Sequence, residues 1–163
     1  MGSDLPPQPR RALTVLIPFF NEAGNIQPLI DEVHTALNGV DYEIVCVNDC
    51  SSDATAAELV IAQAANPQRI KVLTHVKRRG KSAALFTGLR SCDGDWVQLL
   101  DGDGQNDPAD ARRVWDEVAS KDDNTALGIK RNVEIRRLPI PVEYTVARKT
   151  YLEAAEKPDG IYI

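Results

Sequence analysis

The sequence predicts an α/β fold, a mainly parallel sheet with helices on both faces, and three observations carry that prediction. Short apolar runs rich in β-branched residues alternate with helix-spaced segments four times between residues 12 and 120. The runs are apolar throughout instead of alternating with polar residues, the pattern of strands covered on both faces. Turn and capping signals punctuate them, at Asn38-Gly39, before Pro67 and at Asp107-Pro108.

Residues 12–17 read as a buried strand stopped by Pro18. Ile26, Leu29, Ile30, Val33 and Leu37 then recur at helical spacing, giving an amphipathic helix. Residues 42–47 form a second strand. From Asp53, the expected N-cap, an Ala-rich helix runs to Ala65 and breaks before Pro67. Residues 70–76, 82–90 and 96–100 continue as strand, helix and strand, and Asp107-Pro108 supplies an N-cap and a first-turn proline for a helix to about Ser120. Beyond it, residues 126–130 are expected as a fifth strand and 150–156 as a short terminal helix. Residues 133–144, interrupted by Pro139 and Pro141, read as an edge strand or extended connection.

A length of 163 residues suits one domain, covering residues 12–163 behind a polar, proline-containing leader at 1–11 that has neither signal-peptide nor anchor character. A 43% hydrophobic and 26% charged composition excludes a disordered chain or a fibrous repeat. The net charge of −5 argues against a general nucleic-acid binder, which needs clustered Lys and Arg, but leaves small nucleotides open as ligands. No run approaches the roughly 20 apolar residues that span a bilayer, so membrane contact is expected to be peripheral at most. The three cysteines, Cys46, Cys50 and Cys92, lack metal-site spacing and fit reduced thiols in the cytoplasm.

In parallel sheets, ligands sit beyond the carboxyl ends of the strands. Pro18-Phe19-Phe20-Asn21-Glu22 follows the first strand, Asn48-Asp49-Cys50-Ser51-Ser52-Asp53 the second and Asp101-Gly102-Asp103-Gly104-Gln105 the fourth. Crowded carboxylates resist ionisation unless a cation or hydrogen-bond donors neutralise them, so this rim asks for a bound ion or a donor-rich ligand. An isolated Asp-Gly-Asp is an ordinary solvated turn. At a strand end it becomes a candidate site: residues two apart in an extended segment point the same way, and hard carboxylate oxygens suit Mg²⁺ or Mn²⁺ bridging to a diphosphate.

Three motifs, Val15-Leu16-Ile17-Pro18-Phe19-Phe20-Asn21-Glu22, Ile44-Val45-Cys46-Val47-Asn48-Asp49-Cys50-Ser51-Ser52-Asp53 and Leu99-Leu100-Asp101-Gly102-Asp103-Gly104-Gln105-Asn106-Asp107-Pro108, together resemble family 2 glycosyltransferases of the Rossmann-like GT-A fold, closest to the dolichol-phosphate mannose synthase-like branch. The match covers about residues 12 to 131. The resemblance implies a UDP- or GDP-sugar donor, transferred with inversion to a polyprenyl phosphate or another glycan acceptor, by a cytoplasmic protein working at the inner face of a membrane; it leaves open a homo-oligomer. By matching positions, Pro18, Phe19 and Glu22 line the base and ribose pocket, Asn21 and Ser51 also bind the nucleotide sugar, and Asp49 binds the base. Gly80 and Lys81 approach the donor, Asp101 and Asp103 form the catalytic D-x-D pair, and Asp101, Asp103 and Gln105 hold Mg²⁺ or Mn²⁺.

Three departures from the family pattern stand out. The frequent Asp-Asp-Gly-Ser is here Asn48-Asp49-Cys50-Ser51, which puts Cys50 where glycine accepts the backbone angles more easily. Arg78 occupies a position often held by Asn, in Arg78-Arg79-Gly80-Lys81-Ser82-Ala83. The acceptor-binding segment expected between about Arg131 and Val133 is missing, so that residues 12–131 read as a donor-binding core and 132–163 as a remnant strand and tail. This motivates an alternative, a non-catalytic nucleotide-sugar-binding or assembly module. A phospho-accepting receiver domain ranks last, because its acidic pair would follow the first strand. Gly80-Lys81-Ser82 imitates the end of a P-loop, but the earlier glycine falls at His75, which rejects that motif. Lys77-Arg78-Arg79, Arg136, Arg137 and Arg148 read as solvated surface. Trp96 and Trp115 read as packing residues, and neither His34 nor His75 has a motif-supported nucleophile.

Overall fold

In the first strand, β1 (Leu13–Phe19), Leu13, Val15, Ile17 and Phe19 point to one side of the sheet and Leu16 to the other, and all five are buried. The computed structural model describes residues 12–94, 96–119 and 145–147. β2 (Tyr42–Asn48), β3 (Ile70–Thr74) and β4 (Trp96–Leu99) join β1 in parallel, and β5 (Thr145–Ala147) adds antiparallel to β4, giving the order β3-β2-β1-β4-β5. Helices α1 (Ile26–Ala36), α2 (Thr55–Ala65) and α4 (Pro108–Ala119) cover the face that Val15, Ile17, Ile44 and Cys46 present. Helix α3 (Lys81–Leu89) covers the opposite face through Ala84, Leu85 and Leu89 against Leu16, Val45, Val47 and Val97. Each fully buried Leu, Ile, Val or Phe contributes about 1.5–3 kcal/mol, so the two apolar layers fix the register of the central strands.

The amino-terminal rim of the sheet is closed by a buried polar network. Glu43 Oε1 accepts from Thr14 Oγ1 (2.7 Å) and the Asp93 N–H (2.6 Å), and Thr14 Oγ1 accepts from the Gly94 N–H (2.9 Å). Lys71 bridges Glu43 and Asp93, at 3.7 and 3.1 Å. These bonds tie β1, β2, β3 and the approach to β4 together at the end opposite the carboxyl rim.

Several boundaries differ from the sequence expectation. Pro18 lies within β1 and does not stop it. Leu16 bonds toward β4 through its carbonyl (Leu100 N–H, 3.0 Å) and Phe19 bonds toward β2 (Asp49 N–H, 2.9 Å), so the missing N–H of Pro18 faces the side where β4 has already ended. β3 ends at Thr74 and not at residue 76: the His75 N–H makes the last ladder bond to Asn48 O (2.9 Å), and the chain then leaves the sheet. Ala54, not Asp53, is the N-cap of α2; Asp53 instead accepts the Thr55 N–H (2.9 Å) and the Ala23 N–H (3.1 Å), joining α2 to the loop before α1. Trp96 is buried and Trp115 packs on the core, as packing residues should. The expected strand at 126–130, edge strand at 133–144 and helix at 150–156 lie outside the described residues, as do the leader and nearly all of 132–163.

A side chain at Gly88 has no room: an added Cβ collides with Leu16 Cδ1 and comes within 3.0 Å of Val47 Cγ2. Overpacking costs about 1–3 kcal/mol, against a helix-propensity gain of about 1 kcal/mol for Ala over Gly. Gly88→Ala is therefore expected to lower the melting temperature by about 2–4 °C for each net kcal/mol lost, measured by thermal denaturation.

Candidate functional site

At the carboxyl rim, each ladder runs one residue past its strand and then delivers a polar side chain. Asp49 leaves β2 in a fixed direction because its N–H is held by Phe19 O, and His75 leaves β3 held by Asn48 O. The two side chains meet: His75 Nδ1 lies 2.7 Å from Asp49 Oδ1, and since a carboxylate only accepts, Nδ1–H is the donor. His75 Nε2 reaches Thr87 Oγ1 of α3 at 2.8 Å. Asp49 also accepts the backbone N–H of Arg79 at Oδ1 (2.8 Å) and of Gly80 at Oδ2 (2.7 Å). Burial opposes the charge on this carboxyl, but the His75 bond and then the two backbone bonds outweigh it and hold its pKa below the usual range.

The loop after β3 is thereby folded back over the end of β2. Gly80 takes φ 91°, a left-handed conformation suited to glycine, and starts α3 with Lys81. Lys81 Nζ reaches Asp101 Oδ1 at 2.5 Å across the opening. Arg78 stacks its guanidinium 4.0 Å from the centroid of the Phe20 ring.

On the β4 side, Gly102 and Asp103 form a turn followed by a bend at Gly104, and not the extended segment that the sequence suggests. Gly102 is required by close approach: a Cβ there would lie 2.6 Å from Phe19 Cδ1 and 2.8 Å from Pro18 O. Gly104 is required by its φ of 74°. Asn106 Oδ1 accepts the Asp101 N–H (3.2 Å), and Asp103 Oδ1 accepts the Gln105 N–H (3.0 Å), so the turn is held from within.

These ends enclose a cleft of about 210 Å³. Pro18, Phe19, Phe20 and Glu22 line it from β1, Asp49 from β2, Arg78, Gly80, Lys81 and Ala84 from the loop and α3, and Asp101, Gly102 and Asp103 from β4. It lies where the strand order reverses direction between β1 and β4, the switch point of a parallel sheet.

Of the residues singled out in the sequence, Pro18, Phe19, Glu22, Asp49, Gly80, Lys81, Asp101 and Asp103 are brought together in this cleft. Asn21, Ser51 and Gln105 stand outside its lining. Asn21 N–H donates to Ser51 Oγ (3.0 Å) and Asn21 Oδ1 accepts the Ser52 N–H (2.8 Å), so Asn21 and Ser51 hold the β1 and β2 loops to each other. Asn21 and Cys50 both take positive φ, 53° and 59°, and at Cys50 this is the strain that glycine would relieve. The sequence reading missed His75 as an organiser and Phe20 and Arg78 as a stacked pair. Reading residues 70–76 as strand puts His75 inside it; the strand ends at Thr74, which makes His75 the first residue of the rim.

The donor set fits a hard divalent cation. Asp101 and Asp103 face one cleft, and Asp101 already holds a cation, the Lys81 ammonium. Among the described residues no group of three His, Cys, Asp or Glu side chains gathers around one point. Two carboxylates are what Mg²⁺ and Mn²⁺ use when phosphate oxygens and water complete their shell.

Residues 14–159 match the model of the family described as Glycosyl transferase family 2. The chain belongs to glycosyl transferase family 2. Its sheet and helices form the GT-A fold of its solved glycosyltransferase neighbours. A dolichol-phosphate mannosyltransferase of Pyrococcus furiosus is 34% identical over 96 residues, 59% of this chain and 27% of the relative. An undecaprenyl-phosphate 4-deoxy-4-formamido-L-arabinose transferase of Pseudomonas fluorescens is 31% identical over 137 residues, 82% of this chain and 40% of the relative. This family 2 chain thus spans well under half the length of these curated relatives. A solved mannosyltransferase from Pyrobaculum calidifontis, in complex with GDP-Man and Mn²⁺, is similar with a TM-score of 0.53 at 30% identity, covering 58% of this chain and 28% of that one. No helix among the described residues is long and apolar enough to cross a membrane.

The depressed pKa of Asp49 fixes the sign of a pH effect. Stabilisation from a carboxylate whose folded pKa is lowered is present above its unfolded value of about 4 and is lost as pH falls through the folded value. Asp49→Asn puts an amide against N–H donors, so it is expected to cost about 2 kcal/mol at pH 7. That difference should shrink as the wild type is acidified below about pH 4, measured by urea unfolding at both pH values.

Proposed function

We propose that this chain is the donor-binding core of a glycosyltransferase that moves a sugar from a UDP- or GDP-sugar to a polyprenyl phosphate, with inversion and with Mg²⁺ or Mn²⁺. The observation that carries the reading is the convergence of Asp101, Asp103 and Lys81 in one cleft with Glu22, Phe20 and the Asp49-tethered loop. Support comes from relatives named as polyprenyl-linked sugar transferases and from a structural neighbour holding GDP-Man and Mn²⁺.

In this reading Pro18, Phe19, Phe20 and Glu22 accept the base and ribose, and Arg78 on Phe20 widens the stacking surface. Asp49 acts chiefly by holding the loop; the one lone-pair site left on Oδ2 faces the base. Gly80 and Lys81 lie toward the diphosphate. Asp101 and Asp103 hold the metal, with Gln105 as the third contact. When bound, the cation supplies Lewis-acid stabilisation of charge on the departing nucleoside diphosphate. An acceptor phosphate oxygen is already anionic, so its attack on the anomeric carbon, opposite the leaving diphosphate, needs no general base from the chain.

Because the chain spans 27% to 40% of these relatives, donor binding and sugar transfer are separate claims. A binding module without transfer would bind donor but yield no lipid-linked sugar from labelled donor. For donor binding, Asp103→Ala is expected to weaken Mn²⁺-dependent UDP or GDP binding by roughly tenfold or more, the loss of an interaction with a charged group. Stability should change by no more than about 1 kcal/mol, the loss of one exposed turn hydrogen bond to the Gln105 N–H. Calorimetry showing metal-independent binding that ignores the substitution would reject the reading.

A further inference from the structure

Lys81 and Asp101 form an ion pair at the place where the metal reading puts a cation. The ammonium sits 2.5 Å from Asp101 Oδ1, and the two side chains are 55% and 29% exposed. Exposed pairs of this kind contribute little net stability, so another cation can displace the lysine at low cost. Only the base of the lysine is fixed. Gly80, its predecessor, is clamped by Asp49 Oδ2, whereas the flexible four-carbon stem leaves the ammonium free to swing within the cleft. A divalent ion held by Asp101 would sit beside the ammonium on the same carboxylate, and their like charges repel.

We propose that Lys81 is a resident counter-ion of Asp101 that gives way to the metal and then carries its charge to the donor's diphosphate. This rests on the reading of Asp101 as a metal contact. Before loading, the lysine offsets part of the negative charge that Asp101 and Asp103 bring to the cleft. On loading, the metal takes the carboxylate, and the released ammonium finds the anionic oxygens that the metal also faces. The metal alone therefore binds against a competitor, whereas metal and nucleoside diphosphate together bind without one. Each ligand raises the affinity of the other, reciprocally, as linkage requires.

The test uses the full chain and no turnover. Mn²⁺ alone is titrated with free Mn²⁺ read by electron paramagnetic resonance, and UDP and GDP are titrated by calorimetry at saturating Mn²⁺, for the wild type, Lys81→Met and Lys81→Arg. Lys81→Met is expected to tighten Mn²⁺ alone by about two- to fivefold, the worth of an exposed pair. It should weaken nucleoside diphosphate binding by roughly tenfold, the worth of a charged hydrogen bond. Lys81→Arg, which keeps the charge, should stay nearer the wild type in both. The opposite signs are the signature, since a lysine serving only the fold would weaken both. Mn²⁺ affinity that is unchanged or weaker in Lys81→Met overturns this proposal while leaving the metal reading standing. A wild type that binds no Mn²⁺, with or without nucleotide, overturns both.

Discussion

A single carboxylate organises the carboxyl rim. Asp49, at the end of β2, gathers the Nδ1–H of His75 and the backbone N–H groups of Arg79 and Gly80. The loop that leaves β3 is thereby turned back across the sheet end and does not continue outward. The orientation of α3, the start of Lys81, the reach of Lys81 to Asp101 and the position of Arg78 over Phe20 all follow from that capture. Burial alone would favour a neutral acid at this position. Three donors keep it ionised, and an ionised group makes the stronger clamp.

The two rims of the sheet divide the work. At the amino end, Glu43, Thr14 and Lys71 form a network that joins the strands and satisfies its own polar groups. At the carboxyl end, polar groups are equally dense, but those facing the cleft are only partly satisfied by each other. Lys81 and Asp101 have each other at the surface, Asp103 is exposed, and Glu22 shares one oxygen with Asn25. Rigid apolar layers from α1, α2 and α4 below and α3 above hold these groups in place. Family 2 membership accords with that arrangement, in which a fixed scaffold carries an exchangeable set of charges.

Much of this was legible in the residues. The alternation of apolar runs and helical spacing gives the four parallel strands and four helices because burial on both faces leaves no other pattern. The rule that ligands sit past strand ends points to Pro18, Glu22, Asp49, Asp101 and Asp103. The positive φ of Cys50 was foreseeable from a family position that favours glycine. What escaped depends on partners distant in sequence. Pro18 reads as a stop until β4 is known to end beside it, because only then is its missing N–H harmless. Asp53 reads as a cap, but its second oxygen is drawn to Ala23, 30 residues earlier. Asp49 reads as a ligand contact, since nothing in the local sequence reveals that His75 and the Arg79-Gly80 amides consume most of its acceptor capacity. The Asp101–Asp103 pair shares a cleft through a tight turn under Phe19, a contact that strand geometry alone does not suggest.

The central claim is that the turn after β4 and the loop clamped by Asp49 face one cation site, although they are 20 residues apart in the chain. Paramagnetic broadening by Mn²⁺ in an amide-resolved NMR spectrum of the isotope-labelled protein tests it most directly. Substoichiometric Mn²⁺ should broaden the amides of Asp101 to Asp103 together with those of Gly80 and Lys81, and leave the amino rim around Glu43 and Gly94 sharp. Broadening confined to one of the two segments, or spread evenly over exposed carboxylates such as Asp53 and Asp116, would contradict it.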